Sequence, residues 1–284
     1  MTGLLDDIGV CPATLLVEPM TATPDDLTSA FDAAAAAGDP SLSLWSFHAT
    51  GPGLDRTAAA LADRGLGVGA VEAALAWAGG PGEDMEAETR GLLEVADRLG
   101  AGVLAAVTMD PELPDRGAAV AGLHRLGEMA ADAGVRVAFE FLPWSAVPSL
   151  AALDQLLTDA DHASLGILLD MWHWHHQPGG GDLELLRAQP GERITYVQLC
   201  DVPAGLHSEA LDEAMGSRVP PGEGVVDVVG VLAVLDEIGA RPYIASEVFS
   251  TEIASLGPAD AARRIHAACA ALPAALATRT GEPR

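Results

Sequence analysis

Short apolar runs alternate with longer amphipathic, alanine-rich stretches from one end of the chain to the other. The runs read as strands near 7–11, 41–48, 67–73, 102–108, 135–141, 164–170, 194–200 and 242–248. Between them, helical spacing predicts helices near 24–37, 53–64, 83–99, 116–133, 149–160, 182–188, 226–238 and 258–277. The first helix is well marked at both ends. Thr23 can cap it, Pro24 suits the first helical position, Asp25 and Asp26 meet the positive end of the helix dipole, and Gly38 stops it. In the seventh, Val228, Val231, Leu232, Leu235 and Ile238 recur on one face before Gly239, so that face is turned to a core. Strands that are apolar almost throughout belong to a parallel sheet covered on both faces, and eight strand–helix repeats is the number that closes into a barrel. The pattern therefore predicts an α/β chain folded as one (β/α)8 barrel over residues 1–278, with a flexible tail over 279–284. A doubly wound open sheet is the alternative, but the glycine-rich phosphate turn such sheets usually carry does not follow Val10.

Four of the apolar runs close on a polar residue: Glu140, Asp170, Gln198 and Glu247. In barrels of this kind the active site lies at the C-terminal ends of the strands. A carboxylate placed directly after a buried strand is costly unless a charge meets it. Any one of these acids alone could be a helix cap or a solvated loop residue, but the repetition points to a shared site. Three carboxylates and an amide offer only oxygen donors, which suit one hard or borderline divalent cation such as Mg²⁺ or Mn²⁺, with Co²⁺ as a further candidate.

Charge and composition narrow the chemistry. The 15 basic residues, against 41 acidic ones, leave a net charge of −26, and every basic residue is Arg. Such a surface repels nucleic-acid phosphates and anionic lipid, so neither nucleic acid nor a membrane surface is expected as a partner. Without a lysine amine, Schiff-base catalysis and lysine-anchored pyridoxal phosphate are excluded. The three cysteines, Cys11, Cys200 and Cys269, form no CxxC pair, and no charged-then-apolar leader opens the sequence, which together predict a cytoplasmic protein.

The segments Val-Ala-Phe-Glu-Phe, Leu-Leu-Asp-Met-Trp-His, Tyr-Val-Gln-Leu-Cys-Asp-Val-Pro, Arg-Val-Pro-Pro-Gly-Glu-Gly-Val-Val-Asp and Ala-Ser-Glu-Val-Phe, in this order, resemble the xylose isomerase-like TIM-barrel superfamily. Its sugar phosphate isomerase/epimerase-type members include ketose 3-epimerases, inosose isomerases and dehydratases, and 3-dehydroshikimate dehydratases. The resemblance implies that Glu140, Asp170, Gln198 and Glu247 are the metal ligands and that Glu140 and Glu247 flank the substrate as an acid/base pair. It implies that His173, three residues beyond Asp170, either contacts substrate or supports the ligands from behind, and it implies a homo-oligomer, dimer or tetramer. Many members carry histidine at the position of Gln198, where some dehydratase-type members have glutamine as this chain does.

Among the remaining residues, Arg218 heads a Pro-Pro-Gly-Glu-Gly loop and could clamp a carboxylate or a pair of hydroxyls, or be an exposed loop arginine. His48 could line the pocket mouth, although a lone histidine at a strand end is more often satisfied locally. Trp172 and the other tryptophans could wall a sugar or cyclic polyol, with core packing as the plain alternative. Asp201 could support the ligands from behind, while Glu72 falls inside its strand pattern and receives no role. The expected activity is isomerisation or epimerisation of a small polyhydroxy ketone by proton transfer through an enediolate. Loss of a β-hydroxyl from the same intermediate would make the protein a dehydratase, and a non-catalytic sugar-binding barrel or partner subunit is a third reading.

Overall fold

In the computed structural model, which describes residues 3–205 and 210–281, each predicted apolar run pairs in parallel with the next. The strands are β1 (Ile8–Val10), β2 (Ser41–Trp45), β3 (Gly67–Ala74), β4 (Val103–Ala106), β5 (Arg136–Glu140), β6 (Leu165–Asp170), β7 (Ile194–Leu199) and β8 (Tyr243–Ser246). They run in sequence order around a closed barrel, with β8 returning to β1 through Ile8–Ile244, Gly9–Ala245 and Val10–Ser246. The main outer helices are α1 (Pro24–Ala37), α2 (Leu54–Ala62), α3 (Glu83–Leu99), α4 (Arg116–Asp132), α5 (Leu150–Ala160), α6 (Leu183–Arg187), α7 (Val228–Glu237) and α8 (Pro258–Thr280). Thr23 and Asp26 form a reciprocal capping box at α1, and Gly38 ends that helix at φ 98°.

Side chains alternate strictly along the strands. Val137, Phe139, Ile167, Leu169, Val197 and Leu199 face the helices in the main core, while Ala70, Val103, Ala105, Ala138, Leu168, Tyr196 and Ala245 fill the barrel interior. Small alanines inside leave room for two tyrosines. The Tyr243 ring fills the space beside Gly69, where an added Cβ would lie 2.1 Å from the ring, and its hydroxyl meets Ser41 at 3.2 Å. Gly69 is also where the register between β2 and β3 slips by one residue, between the Leu42–Val68 and Ser43–Ala70 pairs. This bulge re-aims the rest of β3.

Two expectations need correction. The chain does not leave the fold at residue 279: α8 continues to Thr280 and is capped by Gly281, and Arg279 forms a two-point ion pair with Asp227 at 2.9 Å. Residues 282–284 of the expected tail lie outside the described residues. Strand 2 stops at Trp45 rather than at His48, because residues Ser46–Thr50 already turn as a short helix. Among the described residues no helix is long and apolar enough to cross a membrane.

The tight fit of Tyr243 makes Gly69 a sensitive position. Gly69→Ala is expected to cost about 2 kcal/mol, the usual penalty of overpacking a filled interior, as read from the midpoint of urea unfolding. An unchanged midpoint would show that Tyr243 has free space to move into.

Candidate functional site

Counting two residues onward from each interior side chain gives the last inward layer of the barrel. Ala70 leads to Glu72, Ala105 to Val107, Ala138 to Glu140, Leu168 to Asp170, Tyr196 to Gln198, and Ala245 to Glu247. Strand alternation alone thus gathers four carboxylates and an amide at one end of the barrel. Glu72, Glu140 and Glu247 line the floor of a cavity of about 360 Å³, together with His173 and Arg218. Trp45, Val107, Leu142, Trp144 and Phe249 are in its wall.

Arg218 is the counter-charge of this cluster. It is buried, and its Nη1 donates to Asp170 Oδ2 at 2.7 Å, to the Glu247 backbone carbonyl at 3.1 Å and to Glu247 Oε2 at 3.4 Å. Its Nε donates to the Ala214 carbonyl at 2.7 Å, and the guanidinium lies 5.1 Å from the centre of the Phe249 ring. Burial works against the charged guanidinium, but Asp170 foremost, then Cys200, Glu247 and Glu140, raise its pKa above the ordinary arginine value. It remains a permanent cation. The loop that carries it is tied down by Asp201, whose carboxylate accepts the backbone N–H groups of Val202, Gly222 and Val226 at 2.8, 3.0 and 2.9 Å.

The acids respond differently to this one cation. Burial acts to raise the Asp170 carboxyl, yet Arg218, His173 and the His173 backbone N–H, 2.9 Å from Oδ1, together hold it below its usual range. Glu247 is pushed well above the usual carboxylate range by burial and then by Glu72, with Arg218 opposing. The shorter contact, 2.7 against 3.4 Å, favours Asp170. Glu140 is also raised well above its range, by burial and by the charges of Asp170 and Glu72. Burial drives the pKa of His173 down to about 3, so its imidazole is neutral at neutral pH. The 3.3 Å approach of His173 Nε2 to Glu140 Oε1 is therefore a polar contact without ionic character, and His173 Nδ1 has no partner.

Glu72 is the residue that sequence reasoning passed over. Its Oε1 accepts from Tyr196 Oη at 3.1 Å, from Gln198 Nε2 at 3.4 Å and from Ser43 Oγ. Burial raises this carboxyl while those three donors oppose the rise. With the Gln198 amide nitrogen facing Glu72 as donor, the amide oxygen faces away. Among the described residues that oxygen, Gln198 Oε1, is buried without a hydrogen-bond partner. Such an orphan requires a reason, and a cation supplies one. Glu140, Asp170 and His173 meanwhile offer ligand atoms that all lie within 4.8 Å of one another. Crowded buried carboxylates, an unpartnered amide oxygen and a neutral imidazole fit a divalent cation.

Two expected site residues lie elsewhere. Trp172 is wholly buried, stacked on His176 with ring centroids 3.8 Å apart, and does not line the cavity; Trp45 and Trp144 take the wall positions. The reason is that the short helix Met171–His176 starts immediately after β6 and turns the Trp172 indole into the core. His48 sits behind Trp45, its Nε2 bonded to the Pro19 carbonyl at 2.7 Å, and does not reach the cavity either. Arg218 does line it, but as a buried bridge between acids rather than as an exposed loop arginine.

A cation binding here would compete with protons for Glu140 and Glu247, whose carboxyls are raised above the ordinary range. Because both carboxyls are raised, Mn²⁺ affinity is expected to climb with pH through and above the ordinary carboxylate range and to level off once both are ionised. Calorimetric titrations at several pH values, in buffers of different ionisation enthalpy, read both the climb and the released protons. Glu72→Gln removes the charge that orients Gln198, and a loss of Mn²⁺ affinity of about 10- to 100-fold is expected from the same titration. Equal affinity in the variant would leave Glu72 without an orienting role.

Comparison with known proteins agrees with the barrel fold. A sequence model of the xylose isomerase-like TIM barrel matches residues 14–272. A 3-dehydroshikimate dehydratase of Pseudomonas putida is 34% identical over 139 residues, which cover 49% of this chain and 21% of the dehydratase. An inosose isomerase of Bacillus subtilis is 27% identical over 172 residues, 58% of this chain and 60% of that enzyme. The match thus spans about a fifth of the dehydratase's length and somewhat under two thirds of the isomerase's. Among solved structures, that of the IOLI protein with a bound zinc atom superposes with a TM-score of 0.78 at 19% identity, covering 96% of this chain and 98% of that one, which speaks to the fold. The chain belongs to the xylose isomerase-like TIM barrel family.

Proposed function

We propose that this protein is a divalent-metal-dependent enzyme that removes a proton from the carbon next to a ketone on a hydroxylated substrate, and that the outcome is isomerisation or epimerisation. The observation that carries the reading is the floor of the cavity. There, two carboxyls with raised pKa, Glu140 and Glu247, share the lining with the neutral His173 and with Glu72, against which Gln198 rests with its buried amide oxygen unpartnered among the described residues. Glu140, Asp170, Gln198 and Glu247 would hold the cation, Mn²⁺ or Mg²⁺ by the hardness of their oxygen donors. Bound there, the cation would polarise the ketone and lessen the cost of the negative charge that forms when the proton leaves.

The chain's own groups supply the proton traffic. A carboxyl whose pKa lies above the usual range is a better base once ionised and a usable acid once protonated, so Glu140 and Glu247 can take a proton and return one. Uncharged His173 can donate to, or accept from, a substrate hydroxyl without adding charge to a crowded site. Arg218 holds Asp170 ionised throughout. Apolar side chains of Val107, Leu142 and Phe249 stand in the wall beside these groups.

A second reading, dehydration, has its own support in Gln198 and in the similarity to 3-dehydroshikimate dehydratases. In it the same proton is removed and a β-hydroxyl departs as water, with a protonated carboxyl donating to the leaving oxygen. Incubation with hydroxylated ring ketones in deuterium oxide separates the two. Deuterium in a product of otherwise unchanged mass supports isomerisation, and a product lighter by one water supports dehydration. Neither outcome with any metal-loaded preparation sinks both. Glu140→Gln and Glu247→Gln are each expected to lower kcat by at least about a hundredfold with the circular dichroism spectrum retained, and activity within tenfold of the parent would remove that residue from the acid/base pair.

A further inference from the structure

The chemical floor of the cavity is only part of its surface. Outside Glu72, Glu140, His173, Arg218 and Glu247, Ser46 is, among the described residues, the single hydroxyl, amide or charged side chain in the lining. The wall is built from tryptophan, valine, leucine and phenylalanine, and the mouth from Met20, Phe47, Leu75, Met109, Leu211 and Met215. These six are each between 39% and 66% exposed, and among the described residues the only other large exposed apolar side chains are Val17, Val225 and Leu256. Most of the molecule's exposed large apolar side chains therefore converge on one opening. They ring a concavity continuous with the catalytic floor rather than covering a flat face.

A compact ligand with hydroxyls on every carbon fits this surface badly. The indole N–H groups of Trp45 and Trp144 could answer one or two hydroxyls, but the others placed against the wall would lose their water without a hydrogen-bond partner, at a cost of about 1–3 kcal/mol each. Exposed apolar side chains gathered around a cavity gain instead from a ligand that covers them. Met20, Met109 and Met215 add unbranched thioethers that adjust to a ring and make favourable sulfur–aromatic contacts.

We propose that the substrate is amphipathic: a ring ketone whose oxygenated edge sits on the carboxylate floor and whose apolar substituent, of aryl size, extends along the wall to the rim. This rests on the enolising function proposed above and adds the substrate class. The floor reads the ketone and its neighbouring hydroxyl; Trp45, Phe47, Met109 and Leu211 read the substituent.

The test compares a compact keto-inositol with the same ring carrying a phenyl ether, using the Mn²⁺-loaded protein. The phenyl ether is expected to have a kcat/KM at least about tenfold higher, carried mainly by KM, and Met109→Ser and Leu75→Ser should each narrow that ratio several-fold. The corresponding alcohols, which cannot be enolised, read the rim without the chemistry: calorimetry should show the phenyl-bearing alcohol binding more tightly by a similar factor. If both ketones fail to react while the phenyl-bearing alcohol still binds preferentially, the enolising function fails and the apolar subsite stands. Equal kcat/KM and equal binding for the two members of each pair overturn the subsite. So does a rim variant that leaves the ratio intact while dissociating an oligomer measured by light scattering, since the rim is then a contact between copies of this chain.

Discussion

Alternation along a strand, imposed on a barrel that is closed, is the constraint from which the site follows. Each interior position is two residues from the next, and alternate strands of a closed barrel fill alternate layers, so the last inward positions form a staggered ring in which neighbours crowd one another. Here that ring includes Glu72, Glu140, Asp170, Gln198 and Glu247. Four acids in one buried ring repel, and burial itself disfavours their charges. One guanidinium, Arg218, answers them and cannot satisfy all of them equally: Asp170 is stabilised as an anion while Glu140 and Glu247 remain raised. The unequal distribution of a single counter-charge gives chemically similar side chains different acidities.

Much of this was legible in the sequence, for a physical reason. Apolar runs of strand length, separated by helices with caps, record burial on both faces, and they locate all eight strands. A polar residue at the end of such a run stands out because the preceding residues are so uniformly apolar, as at Glu140 and Asp170. Glu72 escaped because the bulge at Gly69 lengthens β3 by a residue and because Ala73, Ala74 and Leu75 continue the apolar run beyond it. Its signal was present nonetheless: Val-Gly-Ala-Val-Glu closes on an acid just as the other runs do.

What the sequence conceals is direction after the strand ends. Short helices at Ser46–Thr50 and Met171–His176 begin at once and rotate His48 and Trp172 away from the opening, whereas a straight continuation would have kept them near it. Arg218 presented the opposite difficulty. Its partners Asp170 and Glu247 lie 48 and 29 residues away, and only folding shows that a loop arginine is interior. Glycines in that loop serve the approach: a Cβ on Gly224 would lie 2.2 Å from the Val202 carbonyl oxygen. The Pro-Pro-Gly-Glu-Gly stretch thus acts as a clasp around Asp201.

The hydrogen bond from Arg218 Nε to the Ala214 carbonyl joins two parts of the molecule that otherwise have separate tasks. One side of the guanidinium counts charge among the acids. The other grips the helix Ala210–Gly216, which carries Leu211 and Met215 at the entrance. The acids at the floor of the cavity and the helix at its doorway thus lean on the same side chain, and the guanidinium that balances charge is also a fastening of the entrance.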